Sequence, residues 1–528
     1  MKSKVVKGAI ILTGGVLLSK AIGAFYRIPL TNILGAEGVG MYQLVFSVYA
    51  LIVTLIGSGM PIAISRLTAE TIAKGLNPKK TLYSAIVIGL GFGLVMSLSI
   101  FFLAKIIAVG QGNPDIEFGY KIVSPAIFFV SGLSVFKGYF QGRVNMLPTS
   151  LSYIFEQVIK LVAGITLAYV MAKRGVTYAV IGSLIGVTLS ELASFLLLVF
   201  IYLFKRDKYV IKDSESFKKN CGELLKIAIP ITIGSALVPL SQFIDSFIVV
   251  NLLVGANSQA EATALYGLFS GSVNPIVNMP IMLVLSLAMV IVPVVSKERI
   301  NRNYDGILAK SKLAIKACFI IGIPCSILLF MFASPLLNIF YPKFSPPQID
   351  TAAVLLQITS VSIVFYGVMQ IETSLMQGLD RIYLPVKNLM IALVIKEIVC
   401  AVLVGVIGIK GLAYATVLLS VLACLFNGIS YRRLLGERYD VTGYLLKTAL
   451  CSYVFFAVAV ICKVLIFNDI IAFLVACMAG GSIYYILLKK NKVIEDDELR
   501  SLGINTFRPI DLAKLFYRSE YDYNYRSR

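Results

Sequence analysis

Two cations, Lys20 and Arg27, sit seven residues apart inside the first long apolar run of this chain, and so share one face of a helix. A cation at mid-membrane costs about 2.5–3.5 kcal/mol, so a pair of them needs a wet or paired surrounding. Neither has an acid at helical spacing within its own run. The chemistry open to them is electrostatic: their helix faces a polar cavity, and that cavity suits an anion. Other ionisable residues also fall within apolar runs. In the first half they are Arg66, Lys137, Glu156, Lys160 and Glu191; in the second, Asp245, Glu372 and the adjacent Lys396 and Glu397. Glu156 and Lys160 are spaced i,i+4 in the favourable order and can neutralise each other on one helix. Arg66 and Lys137 either join the cavity or snorkel to the surface. Cations outnumber acids in this half, and Arg matches phosphate through its forked donors. The candidate substrate-binding set is Lys20, Arg27, Arg66, Lys137 and Lys160. Asp245, in the polar patch Ser241-Gln242-Phe243-Ile244-Asp245-Ser246, is either a proton or sodium coupling site or the partner of a first-half cation. Glu156, Glu191, Asp245, Glu372 and Glu397 make up the candidate ion-coupling or cavity acids.

Histidine is absent, which removes imidazole relays, His metal sites and Ser-His or Cys-His catalytic pairs. No cofactor is expected beyond a coupling Na+ or H+, and no metal site. The eight cysteines include no Cys-x-x-Cys pair and mostly sit in apolar runs, where Cys acts as a small hydrophobe. No disulfide framework is expected. The 528 residues are 58% hydrophobic and 14% charged, against about 25% charged in soluble domains. Apolar runs of twenty residues or more recur, so the chain reads as an all-α integral membrane protein. The net charge of +20 is not a nucleic-acid footprint, because Lys and Arg gather in alternate short loops.

Fourteen spans are expected, near 8–34, 42–66, 82–109, 119–140, 148–172, 176–204, 227–253, 264–295, 313–340, 351–376, 384–408, 411–432, 447–467 and 470–488. Connections after even-numbered spans are basic: Lys74, Lys79 and Lys80; Arg143; Lys205 to Lys226; Lys297 to Lys312; Arg381; then Arg432, Arg433 and Arg438. Odd-side loops are poorer in cations, with Lys173-Arg174, Lys343 and Lys410 as exceptions. This places both termini in the cytoplasm of a multi-pass cell-membrane protein. The N-terminal run continues through Lys20 and Arg27 and is expected to be a retained helix, not a cleaved signal. In the tail, an interfacial helix is expected near 509–518.

An internal repeat is visible. Phe140-Gln141-Gly142-Arg143-Val144-Asn145-Met146-Leu147-Pro148 resembles Met376-Gln377-Gly378-Leu379-Asp380-Arg381-Ile382-Tyr383-Leu384-Pro385, about 236 residues later. Each copy closes an even-numbered span, turns, and opens the next span with Pro. The copies lie six spans apart and so share one orientation, which implies parallel lobes around a central site. The expected organisation is a six-helix lobe over 1–210, a second over 211–440, helices 13 and 14 over 441–490, and a cytoplasmic tail over 491–528.

The first hairpin carries a family likeness. Ser19-Lys20, Tyr26-Arg27-Ile28-Pro29-Leu30, Leu34-Gly35-Ala36-Glu37-Gly38-Val39-Gly40-Met41-Tyr42-Gln43 and Ser65-Arg66 resemble the polysaccharide-transporter flippases of the stage V sporulation protein B type. These belong to the superfamily of multidrug, oligosaccharidyl-lipid and polysaccharide exporters, with the MurJ lipid II flippases. The resemblance implies a V-shaped, two-lobed, alternating-access fold. It also implies an undecaprenyl-pyrophosphate-linked saccharide as cargo, lipid-linked peptidoglycan precursor in the sporulation branch. Ser19-Lys20 and Gly23 fit the Ser-Arg-x-x-Gly start of the MurJ first-helix pattern with Lys for Arg. Arg27 follows one residue later than that family's second Arg, and Arg66 lies in the region of its second-helix Arg. No Arg occurs within span seven or eight, where MurJ has one.

The leading expectation is thus a flippase for an anionic lipid-linked saccharide, working among membrane lipids and alongside cell-wall synthesis proteins. An organic-cation antiporter of the same superfamily would need an anionic cavity. A membrane glycosyltransferase or polymerase would need a catalytic acid near the outer face, where Asp115 and Glu117 are available but lie in a short, Pro-containing loop. A non-transporting scaffold would leave the buried charge without a use.

Overall fold

Backbone amides in lipid must be satisfied within their own segment, so long apolar runs fold as helices. The structure, a computed structural model, describes residues 2–204, 217–435, 442–491 and 493. Positions 205–216, Arg438 and the helix expected near 509–518 lie outside the described residues. Thirteen helical runs among the described residues are long and apolar enough to cross a membrane. The first, Ile10–Ala73, is 64 residues long and makes two passes.

Gly35 is the reason. It interrupts α1 (Lys2–Gly57) with φ 68° and ψ −178°, a conformation that glycine adopts without a Cβ penalty. The chain reverses there: the Arg27 guanidinium lies 6.0 Å from the Phe46 ring centroid, where nineteen residues of straight helix would separate them by about 28 Å. The second pass continues past Ser58 into α2 (Gly59–Ala73). Then follow α3 (Lys79–Gly110), α4 (Glu117–Gly142), α5 (Leu147–Ala172) and α6 (Val176–Phe204), which complete a first lobe by packing chiefly on one another and on α1.

The second lobe begins with α7 (Phe217–Val254) and α8 (Gln259–Gly267), which runs into α9 (Asn274–Ile300). The ninth pass differs from the expected 313–340. It is α10 (Tyr304–Met331), followed by a separate short α11 (Ala333–Phe340). Pro335 has no N–H to give the Met331 carbonyl four residues earlier, so a continuous helix would orphan that acceptor. The Lys463 ammonium donates to it instead at 2.7 Å. The tenth pass is likewise divided, into α12 (Pro346–Ser360) and α13 (Ser362–Gly378). The lobe closes with α14 (Tyr383–Ile407) and α15 (Ile409–Leu435). Two further passes, α16 (Thr442–Leu465) and the run formed by α17 (Asp469–Val475) and α18 (Gly481–Lys490), pack beside α10.

The repeat is visible in the backbone. Val144 and Asp380, 236 residues apart, both take positive φ, 56° and 66°. In the first turn Val144 N–H donates to Gln141 and Asn145 N–H to Phe140; in the second Asp380 donates to Gln377 and Arg381 to Met376, all within 2.9–3.0 Å. Both are Schellman closures of an even-numbered pass.

The lobes meet on the Gly35 side through carboxamides. Asn32 donates to the Phe340 carbonyl (2.8 Å), Gln43 to the Ser270 carbonyl (2.8 Å), Gln111 to the Ser246 hydroxyl (2.7 Å) and Asn113 to the Thr263 hydroxyl (2.9 Å). Asn251 reaches back to the Gly110 carbonyl at 2.7 Å. Gly40 and Gly267 lie backbone to backbone at this seam, where a Cβ on Gly267 would fall 2.5 Å from Gly40 N.

Candidate functional site

Between the lobes lies a cavity of about 350 Å3. The first lobe lines it with Lys20, Tyr26, Arg27, Tyr42, Phe46 and Lys160; the second with Asn278, Met282, Tyr341 and Tyr366. Its lining contains three cations and no Asp or Glu. The helical spacing of Lys20 and Arg27 turns both toward it, and the reversal at Gly35 brings Phe46 beside the Arg27 guanidinium. Tyr341 reaches the cavity from the connection after α11. Burial pushes its phenol up to about 12, so it stands in the cavity as a neutral hydrogen-bond donor.

Lys160 joins this cavity to a buried network. Its ammonium lies 3.3 Å from Glu156 and 3.9 Å from Glu191. The i,i+4 pair read from the sequence therefore forms, and Glu191 is added from α6. Glu156 also faces Lys137 at 3.7 Å, while Glu191 accepts from the Tyr49 hydroxyl at 3.0 Å. Lys137 does not snorkel. It is buried against the Tyr153 ring, 3.9 Å from the centroid, and is absent from the cavity wall. Two cations and two acids thus balance inside the first lobe.

Arg66 departs from the expected set. It pairs with Glu70 one turn on at 2.8 Å, with the two side chains 66% and 44% exposed, away from the cavity. A local acid at i,i+4 on a solvated helix end satisfies it there.

The second lobe holds its own cluster. Asp245 is neither alone nor paired with a first-lobe cation, as either sequence reading had it. It is in direct contact with the ammonium of Lys396 from α14. That ammonium also donates to Ser241 (3.1 Å) and Glu397 (3.0 Å), and Ser241 donates to Glu397 at 2.7 Å. Asp245 and Arg27 line a smaller interlobe cavity of about 120 Å3 with Gln43, Gln242 and Tyr266. Glu372 stands apart: it is buried, and its Oε2 has no hydrogen-bond partner among the described residues. The structure thus brings Lys20, Arg27 and Lys160 together, sets Asp245 and Glu397 around Lys396, and leaves Arg66 and Glu372 outside both groups. Sequence reasoning missed the Lys396–Asp245 contact, the Tyr49–Glu191 bond and the wall residues Tyr341, Tyr366 and Asn278. Lys396, Asp245 and Glu191 each carried a signal as ionisable residues inside apolar runs, whereas Tyr49 and the wall residues carried none.

The chain matches the family model "Polysaccharide biosynthesis protein" over residues 5–298, and the MatE model over residues 230–403. Stage V sporulation protein B of Bacillus subtilis (strain 168) is 25% identical over 515 residues, covering 95% of this chain and 98% of that one. Lipid II flippase MurJ of the same organism is 24% identical over 521 residues, covering 92% and 95%. Among solved structures, lipid II flippase MurJ in an inward closed conformation superposes with a TM-score of 0.72 at 16% identity, over 93% of this chain and 99% of that one. An inward-facing multidrug resistance MATE family transporter of the MOP superfamily gives 0.68 at 17% identity, over 81% and 98%. The helical passes of the described residues, their two-lobed arrangement and the match across more than half of the sequence carry one conclusion: the chain belongs to the polysaccharide biosynthesis protein family and is a multi-pass membrane protein with the fold of the MurJ and MATE structures.

Proposed function

We propose that this carrier is a flippase for a polyprenyl-pyrophosphate-linked saccharide of the lipid II class, moved from the inner to the outer leaflet for cell-wall or spore-cortex synthesis. The observation that carries the reading is the interlobe cavity, lined by Lys20, Arg27 and Lys160 and by no acid. The pyrophosphate engages these cations, Arg27 through its forked donors. The aromatic rings of Tyr26, Tyr42, Tyr341 and Tyr366 line the space where the sugar would sit. With both termini and the basic turns on the cytoplasmic side, the Gly35 side faces outward. The headgroup enters and leaves this cavity as the lobes rock apart, as alternating access does. The relative named lipid II flippase MurJ supports this cargo, and the relative named stage V sporulation protein B supports the sporulation setting.

The test is leaflet transfer of fluorescent lipid II by purified protein in liposomes, for wild type and Arg27→Ala. Transfer by wild type that falls at least tenfold in the variant is expected. Transfer untouched by the substitution would remove the cations from the site, and flux of a fluorescent organic cation in place of lipid II would favour an antiporter.

A further inference from the structure

We infer that Lys396 is a tethered counter-ion, whose ammonium fills from within the chain an oxygen cage that a free monovalent cation would otherwise occupy. A buried ammonium has three donors and needs three acceptors. Lys396, with its side chain 1% exposed, has them in Asp245, Ser241 and Glu397. Ser241 and Asp245 stand one turn apart on α7, and Lys396 and Glu397 are adjacent on α14. Two carboxylates and a hydroxyl around one point are oxygen donors of the kind that hard cations prefer, and their low total charge suits a monovalent one. The cage is reached from the protein interior, because Asp245 lines the small interlobe cavity with Arg27. Two acids against one lysine leave one negative charge, and Glu397 Oε2, buried and without a hydrogen-bond partner among the described residues, has acceptor capacity to spare.

The repeat supplies an independent argument. Lys160 and Lys396 are 236 residues apart, the spacing of the two Schellman turns. Each sits between two carboxylates, Glu156 and Glu191 in one lobe, Asp245 and Glu397 in the other. Lys160 is presented to the central cavity, whereas Lys396 is not among its lining residues. One copy of the repeated lysine is therefore offered to cargo and the other is spent on internal charge balance. In the second lobe the lysine thus supplies, from within the chain, the positive charge that a sodium or potassium ion would otherwise bring to these acids.

This deepens the carrier reading above, but its test involves no cargo. Thermal melting of the purified full-length protein is compared in NaCl, KCl and choline chloride at equal ionic strength. Wild type is expected to melt at one temperature in all three. Lys396→Met vacates the cage and is expected to gain on the order of 3 °C in NaCl over choline chloride. Lys396→Met/Glu397→Gln, which leaves a single carboxylate, is expected to show the same sign with a smaller gain, and it serves if the first variant does not fold. A sodium-dependent gain in wild type would overturn the inference, as would folded variants indifferent to sodium. Failure of both variants to fold in sodium would overturn it too, since a free cation would then be unable to replace the lysine.

Discussion

At three positions 236 residues apart, the first lobe carries Lys137, Lys160 and Glu191 where the second carries Thr373, Lys396 and Asn427. The first set belongs to a chain of alternating charges that reaches the central cavity at Lys160. In the second, Asn427 donates to Thr373 at 3.1 Å and accepts from Asn388 at 3.0 Å, a bond between neutral dipoles. Beside it lies a space of about 630 Å3, larger than the central cavity and lined by no charged side chain. Volume alone would choose that space; charge chooses the smaller one. The lobes share a backbone plan and differ in what they hold ready: the first keeps ions close to the central cavity, while the second keeps dipoles and one fully caged lysine.

Four substitutions break or sharpen this contrast. The largest effect is expected from Lys160→Met, which leaves Glu156 and Glu191 with only Lys137; removing one partner of a buried ionic network costs about 3–5 kcal/mol. A marked fall in melting temperature, partly restored by adding Glu191→Gln, is the expected result, and an unchanged melt would show the network to be dispensable. Next is Arg27→Ala, expected to keep the melting temperature near wild type while lipid-linked cargo transfer drops at least tenfold, about 1.4 kcal/mol. Asn427→Ala removes dipole bonds of the second lobe and is expected to lower stability by about 1 kcal/mol, within the range of interhelical hydrogen bonds in membranes. A loss as large as that of Lys160→Met would erase the distinction between the lobes. The smallest effect belongs to Arg66→Ala, where an exposed i,i+4 pair contributes about 0.3–0.5 kcal/mol; cargo transfer at wild-type rate is expected, and a strong loss would return Arg66 to the site.

Much of this was legible before the fold was known, for reasons of range. Hydropathy marks where the chain crosses a membrane, and i,i+7 and i,i+4 spacing report one helix's own faces, so the Lys20–Arg27 face and the Glu156–Lys160 pair could be read directly. The Schellman turns at Val144 and Asp380 could be read as a repeated string. Contacts between helices depend on register and rotation, which spacing does not carry. Asp245 and Lys396 are 151 residues apart, and nothing local to either names the other. Tyr341 and Tyr366 reach the cavity from separate passes as neutral residues in apolar company, so no pattern singled them out. The break at Phe332 had a local cue in Pro335, outweighed by the apolar run around it.

The carboxamide seam on the Gly35 side sets the conditions under which the molecule can open. Ion pairs at a gate weaken as salt rises and vanish when an acid is protonated. Amide and hydroxyl dipoles, as in the contacts of Asn32, Gln43, Gln111 and Asn113, carry no net charge and do not titrate. The work of parting these four contacts is therefore nearly the same in dilute and saline media, and in acid and alkaline ones. The bond from Gln259 to the Asp115 carboxylate at 3.2 Å, at the same seam, is by contrast a contact that a change of pH can reach.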